Sequence, residues 1–127
     1  MTKKEELMNS IIGQPIHPEI VICLYENPKS TVEQIATGVD ELLEKICPTP
    51  PHGEKYNTKP GYAKWVIGRL CEKGIVAKEK ECYQLTEDGK NIYPYVKRVI
   101  EQTRSGIAEA RVRVTPYANV SLAPLFE

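Results

Sequence analysis

PGYAKWVIGRLCEKGIVAKEKECYQLTEDG, residues 60–89, is the stretch that decides how the rest of the chain is read. Ala63, Val66, Ile67 and Leu70 recur at helical spacing and predict one apolar stripe. Tyr62, Trp65, Arg69 and Lys73 form a second stripe on a different face, with Lys64 and Gly68 beside it. Gly74 is placed to end this helix as a C′ residue. Ile75–Lys78 and Cys82–Leu85 then alternate as the two strands of a small hairpin, with Glu79-Lys80-Glu81 at its tip. Thr86 is positioned to cap a following helix, and Glu87 and Asp88 suit the positive end of its dipole.

Upstream, residues 18–26 (PEIVICLYE) predict a helix that begins on Pro18 and stops at Asn27-Pro28. Ile20, Cys23 and Leu24 would share its inner face. Ser30-Thr31-Val32-Glu33 has the S-x-x-E form of a capping box and starts a second helix. Val32, Ile35, Ala36 and Val39 face inward there. The acidic segment Asp40–Ile46 continues helical, as an extension or as a short extra helix. It is unsuited to reading nucleic acid, because Asp40, Glu41 and Glu44 face only Lys45 and would be repelled by phosphate. Residues 47–59 (CPTPPHGEKYNTK) are a proline-rich loop, long for a connection inside one domain. Lys55, Tyr56, Asn57 and Lys59 are candidates for backbone contacts as that loop leads into the next helix.

The order helix, helix, basic helix, hairpin is that of a winged helix-turn-helix. The expected fold is therefore mainly α with a small β-hairpin wing (α+β). Residues 61–73 would be the recognition helix and 75–85 the wing. The segment RLCEKGIVAKEKECYQLTEDGKNI resembles the R-L-x-x-x-G-[IL]-V … Y-x-L-T-x-x-G pattern of winged-helix regulators. MarR-like and PadR-like families carry that pattern, as do small archaeal and phage repressors. With TVEQIA upstream, the resemblance covers residues 18–100. It implies base-facing roles for Gly61, Tyr62, Lys64 and Trp65, a phosphate role for Arg69, and packing roles for Val66 and Leu70. The long loop before the recognition helix and the 111–127 tail depart from the pattern. Trp65, the only tryptophan, has two readings: packing on a neighbouring helix or on the long loop, or stacking on a sugar or thymine methyl.

The expected organisation is an N-terminal arm (1–16), a winged helix-turn-helix domain (17–89), an extended C-terminal helix (90–110) and a docking tail (111–127). In that helix Ile92, Val96, Val99, Ile100, Thr103 and Ile107 form an apolar strip. It suggests homodimerisation through 90–110, with packing back on the first helix as the alternative.

Net charge is zero, but the charges are not evenly spread. Residues 1–46 hold four lysines against eight carboxylates, whereas 47–73 hold five cations against two and 97–113 five against two. A local basic stripe can hold phosphate in a neutral protein. The partner expected is double-stranded DNA and the role transcription regulation, with contacts from Lys59, Gly61, Tyr62, Lys64, Trp65, Arg69, Lys73, Lys78 and Lys80. Lys78 and Lys80 are offset by Glu79 and Glu81, so the wing is expected to contact weakly.

No catalytic role is expected, since the sequence has no Gly-rich phosphate loop, no G-x-S-x-G and no H-E-x-x-H. Cys47 and His52 are too few ligands for zinc, and no metal or cofactor is expected. A redox role for Cys47 is disfavoured, because a helix C-terminus raises a thiol pKa. No run approaches the roughly 20 apolar residues of a membrane span, and the N-terminus lacks a secretory pattern, which points to the cytoplasm. The alternative to a DNA binder is a winged-helix protein-interaction module.

Overall fold

The structure, a computed structural model, describes residues 2–46 and 56–110, without the side chains of 103–110. Within these residues the order is α1 (Lys3–Ile11), α2 (His17–Glu26), α3 (Val32–Ile46), α4 (Pro60–Glu72), β1 (Val76–Glu79), β2 (Cys82–Leu85) and α5 (Glu87–Ala110). The fold is mainly α with one small antiparallel hairpin, in a winged-helix-like layout. Cys47, His52, Lys55 and the 111–127 tail lie outside the described residues. None of the helices described is long and apolar enough to cross a membrane.

Helix α2 is the centre of the molecule. Every residue from His17 to Leu24 is buried, so it has no free face along that length. The expected one-sided stripe of Ile20, Cys23 and Leu24 understates it, because α3, α4, α5 and β2 all pack on this helix. Burial pushes the Cys23 thiol up to about 12, which makes it a packed core group. The turn into α2 places Ile16 at φ 56, a conformation that a β-branched side chain rarely takes. His17 follows it, almost fully buried, and its Nδ1 donates to the Pro15 carbonyl at 2.8 Å.

The N-terminal arm is docked as α1. Thr2 and Glu5 form a capping box, and Met8 and Ile11 are fully buried in the common core. Lys3 pairs with Asp88 of α5 at 2.8 Å, and Lys4 lies over the Tyr95 ring.

Helix α3 starts one residue later than Ser30-x-x-Glu33 predicts. The box is formed by Thr31 and Gln34: Gln34 N donates to Thr31 Oγ1 at 3.2 Å, and Thr31 N donates to Gln34 Oε1 at 2.9 Å. Ser30 is unavailable because its backbone pairs with Tyr83 in both directions, adding a bridge to the edge of the hairpin. The acidic segment 40–46 extends α3 without a break, and Leu43 and Ile46 are buried.

In the hairpin Val76 lies opposite Leu85 and Glu79 opposite Cys82, leaving Lys80-Glu81 as the turn, with Lys80 at φ 58. Ile75, expected in the first strand, lies just before it in the turn that closes α4, and its carbonyl accepts from Thr86 N. Thr86 Oγ1 accepts from Gly89 N and so caps α5. Gly89 is needed there, since a Cβ would run into the Ile75 carbonyl oxygen.

Helix α5 passes through Pro94 undivided. Ile92, Val96, Val99 and Ile100 are buried within the chain, where α5 lies against α1 and α2. Over this length the strip is covered within the chain: it packs back on α2, the expected alternative to a second subunit, and the docked arm adds to the cover. Thr103 and Ile107 have no described side chains.

Two predictions follow from this packing. Thr31→Ala should cost about 1 kcal/mol in urea unfolding, the usual loss of an N-cap. Glu33→Ala should stay within about 0.5 kcal/mol, as for an ordinary surface change. The second concerns pH. Burial holds the His17 pKa below its ordinary 6.5, with Lys73 and Arg69 adding to the effect. The unfolded chain therefore binds the extra proton first. Stability from this group is complete above pH 6.5 and is lost as pH falls from there through the lower folded value. His17→Asn keeps a donor to the Pro15 carbonyl and should flatten that part of the stability–pH curve.

Candidate nucleic-acid interface

Helix α4 is built to show one face. Lys59 precedes it in an extended conformation and Pro60 takes the first turn, where a missing N–H costs nothing. Ala63, Val66, Ile67 and Leu70 are buried, as their spacing predicts. At the far end Gly74 (φ 76) closes a Schellman motif: Gly74 N donates to the Cys71 carbonyl and Ile75 N to that of Leu70. Ile75 is fully buried beyond it, so the helix end and the start of the wing are fixed together.

The opposite face carries an ordered row. Trp65 is 57% exposed and Tyr62 41%; with Tyr25 of α2 they are the exposed large hydrophobic side chains among the described residues. The Trp65 and Tyr62 rings stack with centroids 6.1 Å apart and planes 16° apart. The Arg69 guanidinium lies over the Trp65 ring at 5.2 Å, within cation–π range. Most of the long loop on which Trp65 was expected to rest lies outside the described residues. The indole rests on side chains of its own helix.

Beside this row lies a cleft of about 300 Å³. Its walls are the start of α3 (Thr31, Glu33), the start of α4 (Pro60, Gly61, Lys64) and the wing (Lys78, Glu81, Tyr83). Two helix N-termini therefore open on the same space, and each favours an anion. Lys64 and Lys78 add positive charge, while Glu33 and Glu81 oppose it.

The structure brings Gly61, Lys64 and Lys78 together in the cleft, with Lys59 immediately before its α4 wall. It sets Tyr62, Trp65 and Arg69 in one row along α4. Two expected contacts fall elsewhere. Lys73 is only half-exposed at the other end of α4, close enough to His17 to oppose its protonation. Lys80 lines a separate hollow with Lys29, Glu79 and Gln84, because the hairpin turn carries it away from Lys78.

Sequence reasoning missed the piece that aims α4. The Asp40 carboxylate accepts from Thr58 N at 2.9 Å and from Thr58 Oγ1 at 2.7 Å. This clip ties the residues just before α4 to the side of α3. The pairing spans 18 residues, and no local pattern announces it. Among the described residues no cluster of three or more His, Cys, Asp or Glu could hold a metal.

No family model and no solved structure matches the chain. It is 28% identical over 105 residues to the Protein CfxQ homolog of Galdieria sulphuraria, an overlap covering 75% of this chain and 34% of that protein. The matched region thus spans about a third of that relative's length, and the likeness brings no activity with it.

Gly61 and Gly68 lie on the exposed side of α4, and a Cβ at either would meet nothing within 4 Å. Neither has the positive φ that would call for glycine. Gly68→Ala should therefore raise stability by about 1 kcal/mol in chemical denaturation, the helix-propensity difference. Gly89→Ala should lower it, because of the clash with the Ile75 carbonyl.

Proposed function

We propose that the protein is a sequence-specific double-stranded DNA-binding transcription regulator that lays α4 in the major groove. The observation that carries this reading is the exposed face of α4. Its aromatic–cationic row stands clear of the core beside a cleft holding Lys64, Lys78 and two helix starts. A groove-inserted helix needs such a division, one side anchored and the other able to meet base edges and phosphates. Lys59, Gly61, Lys64 and Lys78 would follow the backbone, and Tyr62, Trp65 and Arg69 the groove floor. The exposed backbone at Gly68 supports a close approach. Binding as a homodimer would put two such helices about 34 Å apart on successive grooves.

A protein-interaction module is the competing reading. It is favoured by the same exposed Trp65 and Tyr62, since aromatic side chains dominate protein interfaces, and by zero net charge. Salt separates the two. A DNA binder loses affinity steeply as salt rises, because neutralised phosphates release counterions.

The expected result is retention of duplex DNA in a mobility-shift assay, weakening with salt. Lys64→Ala should weaken binding uniformly across sequences and reduce the log–log salt slope by about one. The fluorescence of Trp65, the sole tryptophan, should change on binding. Gly68→Ala should bind less tightly despite its gain in stability. Absence of any salt-dependent retention would leave the interaction module.

A further inference from the structure

We infer that Arg69 reads a guanine edge and that Trp65 is the residue that positions it. This rests on the DNA-binding reading and assigns the two side chains different work within it. The resemblance to winged-helix regulators put Arg69 near phosphate. The geometry points elsewhere.

An unsupported arginine samples many rotamers and suits a diffuse phosphate contact. Arg69 is held with its guanidinium 5.2 Å from the Trp65 ring centre. Trp65 is in turn stacked on Tyr62, which limits its own rotation. The spacing from 62 to 65 to 69 follows the i+3 and i+4 neighbours of a helix, so the row is intrinsic to α4 and needs no partner to form. A guanidinium held by its face leaves its N–H edges free, and that planar fork matches the O6 and N7 acceptors of guanine.

Reach supports the same conclusion. Long side chains on a helix lean toward its N-terminus. The contact with Trp65 brings the Arg69 head back over the preceding turn instead of extending it outward. A shortened arm needs the groove floor close to the helix, and Gly68, with open space where a Cβ would be, allows that. Lys64 has a different setting. It lines the cleft with Lys78 and the two helix starts, where a phosphate is the fitting ligand.

The test is selection from a random duplex library with the full chain, comparing wild type, Arg69→Lys, Trp65→Ala, Trp65→Phe and Lys64→Ala. All substituted side chains are exposed, and thermal unfolding confirms that each variant is folded. Wild type should prefer guanine at one position by roughly 5- to 150-fold, the discrimination of a good bidentate contact. Arg69→Lys and Trp65→Ala should both flatten that position alone, whereas Trp65→Phe should keep most of the preference. Trp65→Ala should leave the salt slope unchanged. Without DNA, the Arg69 side-chain protons should show ring-current shifts that vanish in Trp65→Ala.

A flattened thymine in place of guanine would overturn the inference, since Trp65 would then read the base itself. So would an Arg69→Lys variant that keeps the full preference, since the ring-held planar fork would then not be what selects guanine. Wild type that retains duplex without any guanine preference sinks this inference alone. Wild type that retains no duplex sinks the DNA-binding reading and this inference with it.

Discussion

Burial of α2 on all sides is the constraint from which the rest of the architecture follows. A helix apolar over one stripe needs one neighbour. A helix buried from His17 to Leu24 needs neighbours all round, and α3, α4, α5 and β2 supply them. Each large side chain so removed from water contributes roughly 1.5–3 kcal/mol, the scale that lets this small chain hold a fixed form. The arrangement has local costs. Ile16 takes a left-handed turn, and the His17 imidazole is buried, its Nδ1 bonded to the Pro15 carbonyl. These costs gather at the entry to α2, where the chain must reverse from the docked α1. With α2 surrounded, α3 and α4 pack both on it and on each other.

What the sequence revealed, and what it hid, divides by the range of the interactions. The inner face of α4 was legible because Ala63, Val66, Ile67 and Leu70 obey a local period. The hairpin was legible to within one residue for the same reason, and Ile75 was misplaced only because a helix-end motif claimed it. The start of α3 was misread because S-x-x-E and T-x-x-Q overlap there. The pairing of Ser30 with Tyr83, 53 positions away, decides between them. The covering of α5 by α1 and the Asp40–Thr58 contact are likewise tertiary facts. Trp65 shows the reverse case, since its partners Tyr62 and Arg69 are local and its exposure is not.

The exposed side of α4 also sets stability against use. Gly61 and Gly68 weaken a helix that has no steric need of them, and Trp65 and Tyr62 leave large apolar rings in water. Among the described residues neither glycine has a positive φ or a neighbour within 4 Å of its missing Cβ. The glycines and the rings both fit the surface that the proposed groove contact would cover.

The Asp40–Thr58 clip has a consequence for how this chain can vary. It fastens the lead-in of α4 directly to α3, so the start of α4 is held by a contact that lies outside the stretch between Ile46 and Tyr56. Lengthening such a span changes closure entropy only logarithmically, about 0.6 kcal/mol per doubling. The stretch is therefore a site of evolutionary and engineering freedom. A designer can graft a peptide there with the Asp40–Thr58 contact still holding the start of α4.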